Sequence, residues 1–154
     1  MQTVDVWVGR RGARLVTEGG TLLEIKLLEG KGKTKMPAGL PREIVKLAED
    51  MTSYFSGKGK GFRFKPPAVG TPFHRRVYQA LCKVPAGQVV TYGELAMISG
   101  RPGAARAVGT AMAKNPFAIL VPCHRVVASD GGLGGYGYGL DWKRFLLNLE
   151  GVRL

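Results

Sequence analysis

A cysteine followed directly by a histidine and an arginine, Cys123-His124-Arg125, is the segment of this 154-residue chain best equipped for covalent chemistry. The thiolate is the reactive form of cysteine, and neighbouring His or Arg side chains favour it electrostatically. Many cysteines are instead small apolar core residues. Cys82 reads that way, because it lies among apolar helical neighbours with no histidine near it in sequence. Adjacent residues of an extended strand point to opposite faces, so a direct dyad of Cys123 and His124 needs a bend at Pro122. A water-bridged relay is the simpler expectation. Glu150 is a candidate third member that would orient His124; the bland alternative is an exposed glutamate at a helix end.

Arg106 stands among Ala104, Ala105, Ala107 and Gly109, residues small enough to let a helix backbone approach a duplex closely. The same residues would equally suit packing against a neighbouring helix. Tyr92 opens a predicted helix, and its phenol suits core packing, a phosphate contact or proton donation. Gly132-x-Gly134-x-x-Gly137 matches the spacing of a dinucleotide-binding turn, but no βαβ unit surrounds it. His74, His124, Cys82 and Cys123 have no ligand-like spacing, so no metal site is expected.

These side chains must be held by the elements around them. Residues 4–8, 13–17 and 22–28 are predicted as short strands, separated by Gly-Arg-Arg-Gly and by Gly19-Gly20. Residues 29–39 are glycine- and lysine-rich and predicted as a loop. Pro41 suits a first helical position, and Ile44, Leu47, Ala48, Met51 and Phe55 follow at helical spacing until Gly57. Lys65-Pro66-Pro67 with Gly70 is the best candidate boundary. Beyond it, Thr71-Pro72 opens a helix bearing Phe73, Val77, Leu81 and Val84. Thr91-x-x-Glu94 is a capping box that starts a short helix ended by Ser99-Gly100. A second helix over 104–114 is stopped by Asn115-Pro116. Two short helices across a glycine-containing turn have helix-turn-helix form, the second being the recognition helix. Residues 117–121 are predicted as a buried strand, 130–139 as a loop, and Asp141 as the cap of a last helix with Trp142, Phe145, Leu146 and Leu149.

The expected fold class is α+β. Residues 1–67 would form a small α/β domain with an antiparallel sheet. Residues 68–154 would form a mainly helical, winged-helix-like domain containing the helix-turn-helix. With 45% hydrophobic residues the chain can bury a core without disulfides. Its formal net charge of +12 suits a polyanionic partner. That charge is not a tail, since residues 1–67 carry 13 basic and 7 acidic side chains and residues 68–154 carry 10 and 4. No apolar h-region follows the N-terminus and no run approaches membrane-spanning length, so a cytoplasmic protein without membrane partners is expected.

Pro122-Cys123-His124-Arg125-Val126 resembles the O6-alkylguanine-DNA alkyltransferase family. The resemblance runs upstream through Val84-Pro85-Ala86-Gly87-Gln88-Val89-Val90-Thr91-Tyr92, Leu95-Ala96, Ala105-Arg106-Ala107-Val108-Gly109 and Asn115-Pro116. Downstream it includes Gly134-Gly135-Tyr136, Leu146-Leu147 and Glu150-Gly151, so that it spans residues 71–151; Tyr54-Phe55-x-Gly57 and Gly70-Thr71-x-Phe73 also fit. It implies direct-reversal DNA repair: irreversible, single-turnover transfer of the alkyl group of O6-alkylguanine, and as a second candidate O4-alkylthymine, to Cys123. In that scheme His124 takes the thiol proton through a water and Glu150 polarises His124. Asn115 braces the turn before the active-site segment. Arg106 fills the gap left by the flipped base, with Ala104, Ala105 and Gly109 against the minor groove. Tyr92 presses on a phosphate and protonates the departing O6. The Val126 backbone, Tyr136 and Gly137 line the base pocket.

The resemblance further implies a ribonuclease H-like domain over 1–67, a monomer, double-stranded DNA containing O6-alkylguanine as partner, and no cofactor. The zinc ligands that some relatives carry in the N-terminal domain are absent. Gly137 and Ala118 stand where some relatives have bulkier residues, which leaves the tolerance for large adducts open. Two other classes compete: a non-catalytic binder of alkylated DNA, and a cysteine hydrolase using Cys123 and His124.

Overall fold

Alternating apolar residues draw the first 29 residues into a meander of β1 (Gln2–Val8), β2 (Arg11–Glu18) and β3 (Thr21–Glu29). The sheet order is β1-β2-β3, antiparallel throughout, with a bulge at Val16/Thr17. Gly9, Gly19 and Gly20 supply the positive φ that the two hairpin turns require. One face of the sheet buries Val4, Val6, Ala13, Leu15, Leu22, Ile25 and Leu27. Helix α1 (Arg42–Phe55) packs on β1 and β2 and buries Ile44, Leu47, Ala48, Met51, Tyr54 and Phe55. Pro41 stands at its N-cap rather than inside the first turn.

The computed structural model describes residues 1–154. It comprises two compact units, Met1–Pro67 with Pro116–Ala118, and Ala68–Asn115 with Ile119–Leu154. Phe117 joins the first unit because it bridges Ile25, whose N–H donates to the Pro116 carbonyl at 2.8 Å.

The second unit contains α2 (Pro72–Leu81), β4 (Val90–Thr91), α3 (Tyr92–Ile98), α4 (Ala105–Ala113), β5 (Val126–Val127) and α5 (Leu140–Leu149). Thr71 caps α2 by accepting from the His74 N–H. Thr91 and Glu94 form the full capping box of α3. Helices α2, α3 and α4 pack on one another, and the Tyr78 hydroxyl donates to the Ala111 carbonyl at 2.7 Å. Gly100 and Gly103, both at positive φ, form the tight turn between α3 and α4. No helix is long and apolar enough to cross a membrane.

Three expectations are corrected. Residues 117–121 do not form a strand: beyond the single bridge at Phe117 the chain turns, with Ile119 at φ 71. All five side chains are buried, so the apolar run reported burial and not extension. Pro116 and Pro122 bracket it and offer no ladder donors. Asp141 is not the cap of α5; Gly139, at φ 98, holds that position, and Asp141 lies in the first turn, where its charge complements the helix dipole. Cys82 is not a core cysteine. It is an exposed residue at the C-cap of α2, with Sγ 3.9 Å from the Leu120 carbonyl.

Candidate active site

Pro122, at φ −80 and ψ 64, bends the chain into a single 3-10 turn over Cys123–Arg125. The Cys123 N–H donates to the Val121 carbonyl at 2.7 Å, and the Arg125 N–H to the Pro122 carbonyl at 2.9 Å. The alternation of an extended strand therefore does not apply here. Leaving the turn, Val126 and Val127 pair in parallel with Val90 and Thr91. That short ladder ties the cysteine turn to the start of α3, where Tyr92 is the first residue.

His124 is fully buried, and its Nε2 lies 2.7 Å from Oε2 of Glu150, the C-cap residue of α5. The Glu150 carboxylate also accepts from Arg125 Nε at 2.8 Å and Nη2 at 3.0 Å. Arg125 Nη1 donates to the Val84 carbonyl just beyond α2. Burial alone would push the Glu150 carboxyl up; the hydrogen bonds and charges of His124 and Arg125 outweigh it and hold the carboxyl at about 2. Burial pushes the His124 imidazolium below its ordinary value, against the opposing pull of Glu150. The pair is thus carboxylate plus neutral imidazole. An ionised carboxylate only accepts, so Nε2 carries the proton and Nδ1 carries the lone pair. His124 is set as a base whose reactive atom is Nδ1.

Asn115, one residue past the C-cap of α4, donates from Nδ2 to the Val121 carbonyl at 2.9 Å and to Cys123 Sγ at 3.3 Å. Burial pushes the Cys123 thiol up, while Asn115, a hydrogen bond from Tyr136 and the charge of Lys143 draw it down. Tyr92 is raised by burial, with a hydrogen bond to the backbone of Gly135 pulling the other way and the nearby Cys123 adding to the rise. Tyr78 is pushed up to about 12 by burial and by Cys123. Both phenols keep their protons over the neutral range.

Of the residues singled out from sequence, Cys123, His124, Glu150, Asn115, Tyr92, Val126 and Tyr136 converge on this centre. Gly137 lies on the exposed loop beyond Tyr136, with open space where a side chain would go. Arg106 is exposed in the first turn of α4, with Ala104, Ala105 and Gly109 partly buried beside it. Those four make no contact with the cysteine turn among the hydrogen bonds and ion pairs described. Gly132 to Gly137 lie in a loop, and Asp130 Oδ1 accepts from the Gly132 N–H at 2.8 Å. No group of three His, Cys, Asp or Glu side chains is placed to hold a metal ion.

Two further residues belong to this centre beyond those the sequence singles out. Arg125 is the second partner of Glu150. The side chain of Lys143 is fully buried, with Nζ donating to the Val126 carbonyl at 2.6 Å and the Gly135 carbonyl at 2.9 Å. The available signal was a lysine placed on the apolar face of α5 beside Trp142, Leu146 and Leu147.

The family model described as the DNA-binding domain of 6-O-methylguanine DNA methyltransferase matches residues 72–152. A Methanosarcina barkeri protein named methylated-DNA--protein-cysteine methyltransferase is 45% identical over 132 residues, which is 84% of each chain. A Mycobacterium tuberculosis protein of the same name is 39% identical across 99% of this chain and 92% of its own. The crystal structure of Mycobacterium tuberculosis OGT in complex with DNA matches with a TM-score of 0.76 and 38% identity, over 91% of this chain and 87% of that one. This chain belongs to the 6-O-methylguanine DNA methyltransferase family.

Proposed function

We propose that this protein repairs DNA by direct reversal, moving the alkyl group of O6-alkylguanine in double-stranded DNA onto Sγ of Cys123. The observation that carries the reading is the half-buried Cys123, held by Asn115, beside a buried, neutral His124 whose tautomer Glu150 dictates. The thiol proton passes to His124 Nδ1, through a water, and the sulfur electron pair forms the S–C bond. The C–O6 bond breaks, and its electron pair stays on guanine. Tyr92 donates a proton to the departing base, and the proton stored on His124 restores the balance. The product is a thioether, which water does not hydrolyse, so each molecule reacts once. No cofactor takes part.

An alkyl group inside a duplex is out of reach of this sulfur, so the base is extruded, at lower cost because alkylated guanine pairs poorly. Helices α3 and α4 act as a helix-turn-helix, with Ala104, Ala105 and Gly109 against the minor groove and Arg106 filling the vacated stack. The Val126 backbone, Tyr136 and Gly137 receive the base, and O4-alkylthymine is a second substrate for the same pocket. The net charge of +12 supports phosphate contacts. The protein works as a monomer in the cytoplasm.

Intact-protein mass after incubation with an O6-methylguanine duplex tests this reading. One added methyl group, absent from Cys123→Ala, is expected. An unchanged mass with retained DNA binding indicates a non-catalytic binder. Repeated turnover of an ester substrate by the same residues indicates a cysteine hydrolase.

A further inference from the structure

Oε2 of Glu150 accepts from two partners at once, His124 Nε2 at 2.7 Å and Arg125 Nη2 at 3.0 Å. Oε1 of the same carboxylate accepts from Arg125 Nε at 2.8 Å, so the guanidinium grips both oxygens. Its third nitrogen, Nη1, donates to the Val84 carbonyl. The three side chains are enclosed together, with His124 0%, Glu150 2% and Arg125 11% exposed. Charges withdrawn from water in this way must balance one another. A guanidinium does not lose its proton in a protein, so Arg125 and Glu150 cancel at every pH where the carboxylate is ionised. The cluster is then neutral only while His124 is neutral. Without Arg125 the count reverses: a carboxylate beside a neutral imidazole leaves one buried negative charge, and an imidazolium cancels it.

We propose that Arg125 occupies the Glu150 carboxylate so that His124 rests as a neutral imidazole, which makes Arg125 a positioning residue for the proton transfer from Cys123; this rests on the reading of His124 as the base of alkyl transfer. Arg125 acts through Glu150, and none of its hydrogen bonds reaches the sulfur. The imidazole starts without the proton it is to receive, while Glu150 stays in place to stabilise the imidazolium once the thiol proton has arrived. The Val84 carbonyl fixes the guanidinium from a third segment of chain, so its grip on Glu150 does not depend on the histidine. The other charged group that acts on His124 is Lys143 on α5, whose ammonium is held by the Val126 and Gly135 carbonyls. It too disfavours an imidazolium, and it is unchanged when Arg125 is replaced. Cys82 at the C-cap of α2 faces Arg125, and Cys123 precedes His124 in the turn; both sulfurs are desolvated enough for the thiols to keep their protons at neutral pH.

The experiment follows the histidine ring Cε1–H resonances by NMR from acidic to alkaline pH, with single-turnover rates on an O6-methylguanine duplex over the same range. The chain has two histidines, so His74→Gln assigns both signals. His124 is expected to titrate below 6.5 in the unsubstituted protein. Arg125→Gln removes the charge and keeps an amide donor for Glu150. It should move the His124 midpoint up by about one pH unit or more, which is about tenfold less neutral imidazole on the acid side. The acid limb of its rate profile should move up by the same amount, so that the loss at neutral pH is recovered in alkali. Arg125→Lys keeps the charge and should hold the midpoint near that of the unsubstituted protein. A folded Arg125→Gln protein with an unmoved midpoint overturns the proposal, as does a rate that falls equally at every pH, the mark of a plain brace. If Arg125→Gln does not fold, Arg125→Lys decides: an unmoved midpoint supports the proposal and a raised one overturns it. An unsubstituted His124 that titrates at or above 6.5 overturns it without any variant. Failure of the underlying reading looks different: the unsubstituted protein gains no mass from an O6-methylguanine duplex, whatever the His124 midpoint.

Discussion

His124 Nε2 lies 2.7 Å from Glu150 Oε2, and the two side chains are 0% and 2% exposed. This contact sets a proton position as well as a ring orientation. The carboxylate can only accept, so the base function is delivered at the far side of the ring. It also stores stability. Glu150 ionises at about 2 in the fold against an ordinary 4.5, and His124 is lowered from 6.5. Both groups bind protons more tightly in the unfolded chain, so stability rises with pH through both.

The first prediction follows from that sign. Stability is fully present above about pH 6.5, where both groups are deprotonated in either state, and falls progressively as pH drops toward about 2. Glu150→Gln should lose on the order of 3 kcal/mol at neutral pH and flatten the acid side of the profile. Alkyl transfer should slow about tenfold to a hundredfold with DNA affinity kept. Thermal melts from neutral to acidic pH, with single-turnover rates, measure both. An acid limb unchanged in the variant would contradict the linkage.

The chemistry-bearing residues were legible because covalent function constrains local spacing. Cys123, His124 and Arg125 are consecutive, and the capping box at Thr91 announces where Tyr92 begins a helix. Contacts that depend on distant chain segments were not legible. Arg125 reaches the Val84 carbonyl 41 positions away, and nothing local marks that pairing. Lys143 is not legible because periodicity treats a lysine as solvent-facing, whereas here two backbone carbonyls accommodate it. The turn over residues 117–121 is not legible for a related reason, since an apolar run reports burial without reporting direction.

Asn115 supplies the second prediction. Its Nδ2 serves the Val121 carbonyl and Cys123 Sγ together. Asn115→Ala should cost about 1–3 kcal/mol, the penalty for leaving a buried acceptor without its donor. The thiol midpoint should also rise, because a hydrogen bond that favours the thiolate is gone. Urea denaturation and the pH profile of Cys123 alkylation by iodoacetamide read the two effects separately. Lost stability with an unmoved thiol midpoint would reduce Asn115 to a turn brace.

Gly134 gives a third prediction. At φ 71 it occupies left-handed backbone, and a Cβ there would lie 3.1 Å from Tyr92 Cε2 and 3.3 Å from its hydroxyl oxygen. Gly134→Ala therefore combines backbone strain with displacement of the phenol. Gly131→Ala is the control, because its φ of 89 imposes strain while nothing lies within 4 Å. Both variants should lose about 1–2 kcal/mol. Gly134→Ala alone should slow alkyl transfer, by about tenfold if the phenol donates to the departing base. Equal rates in the two variants would remove Tyr92 from the chemistry.

Arg106 separates access from reactivity. It is exposed in the first turn of α4 and takes no part in the hydrogen bonds around Cys123, so its removal should leave the sulfur untouched. Filling the stack behind an extruded base offsets part of an unstacking cost of a few kcal/mol. Loss of about 2 kcal/mol of that compensation slows duplex repair about thirtyfold. Free O6-methylguanine has no stack to leave and should react with Arg106→Ala as with the unsubstituted protein. A lost phosphate contact would behave differently, since it weakens binding to all duplexes alike and reduces the salt dependence of binding. Single-turnover rates on the damaged duplex and on the free base, with undamaged-duplex affinity at two salt concentrations, distinguish these cases. Equal slowing on both substrates would contradict the stack-filling role and point to a disturbed Cys123.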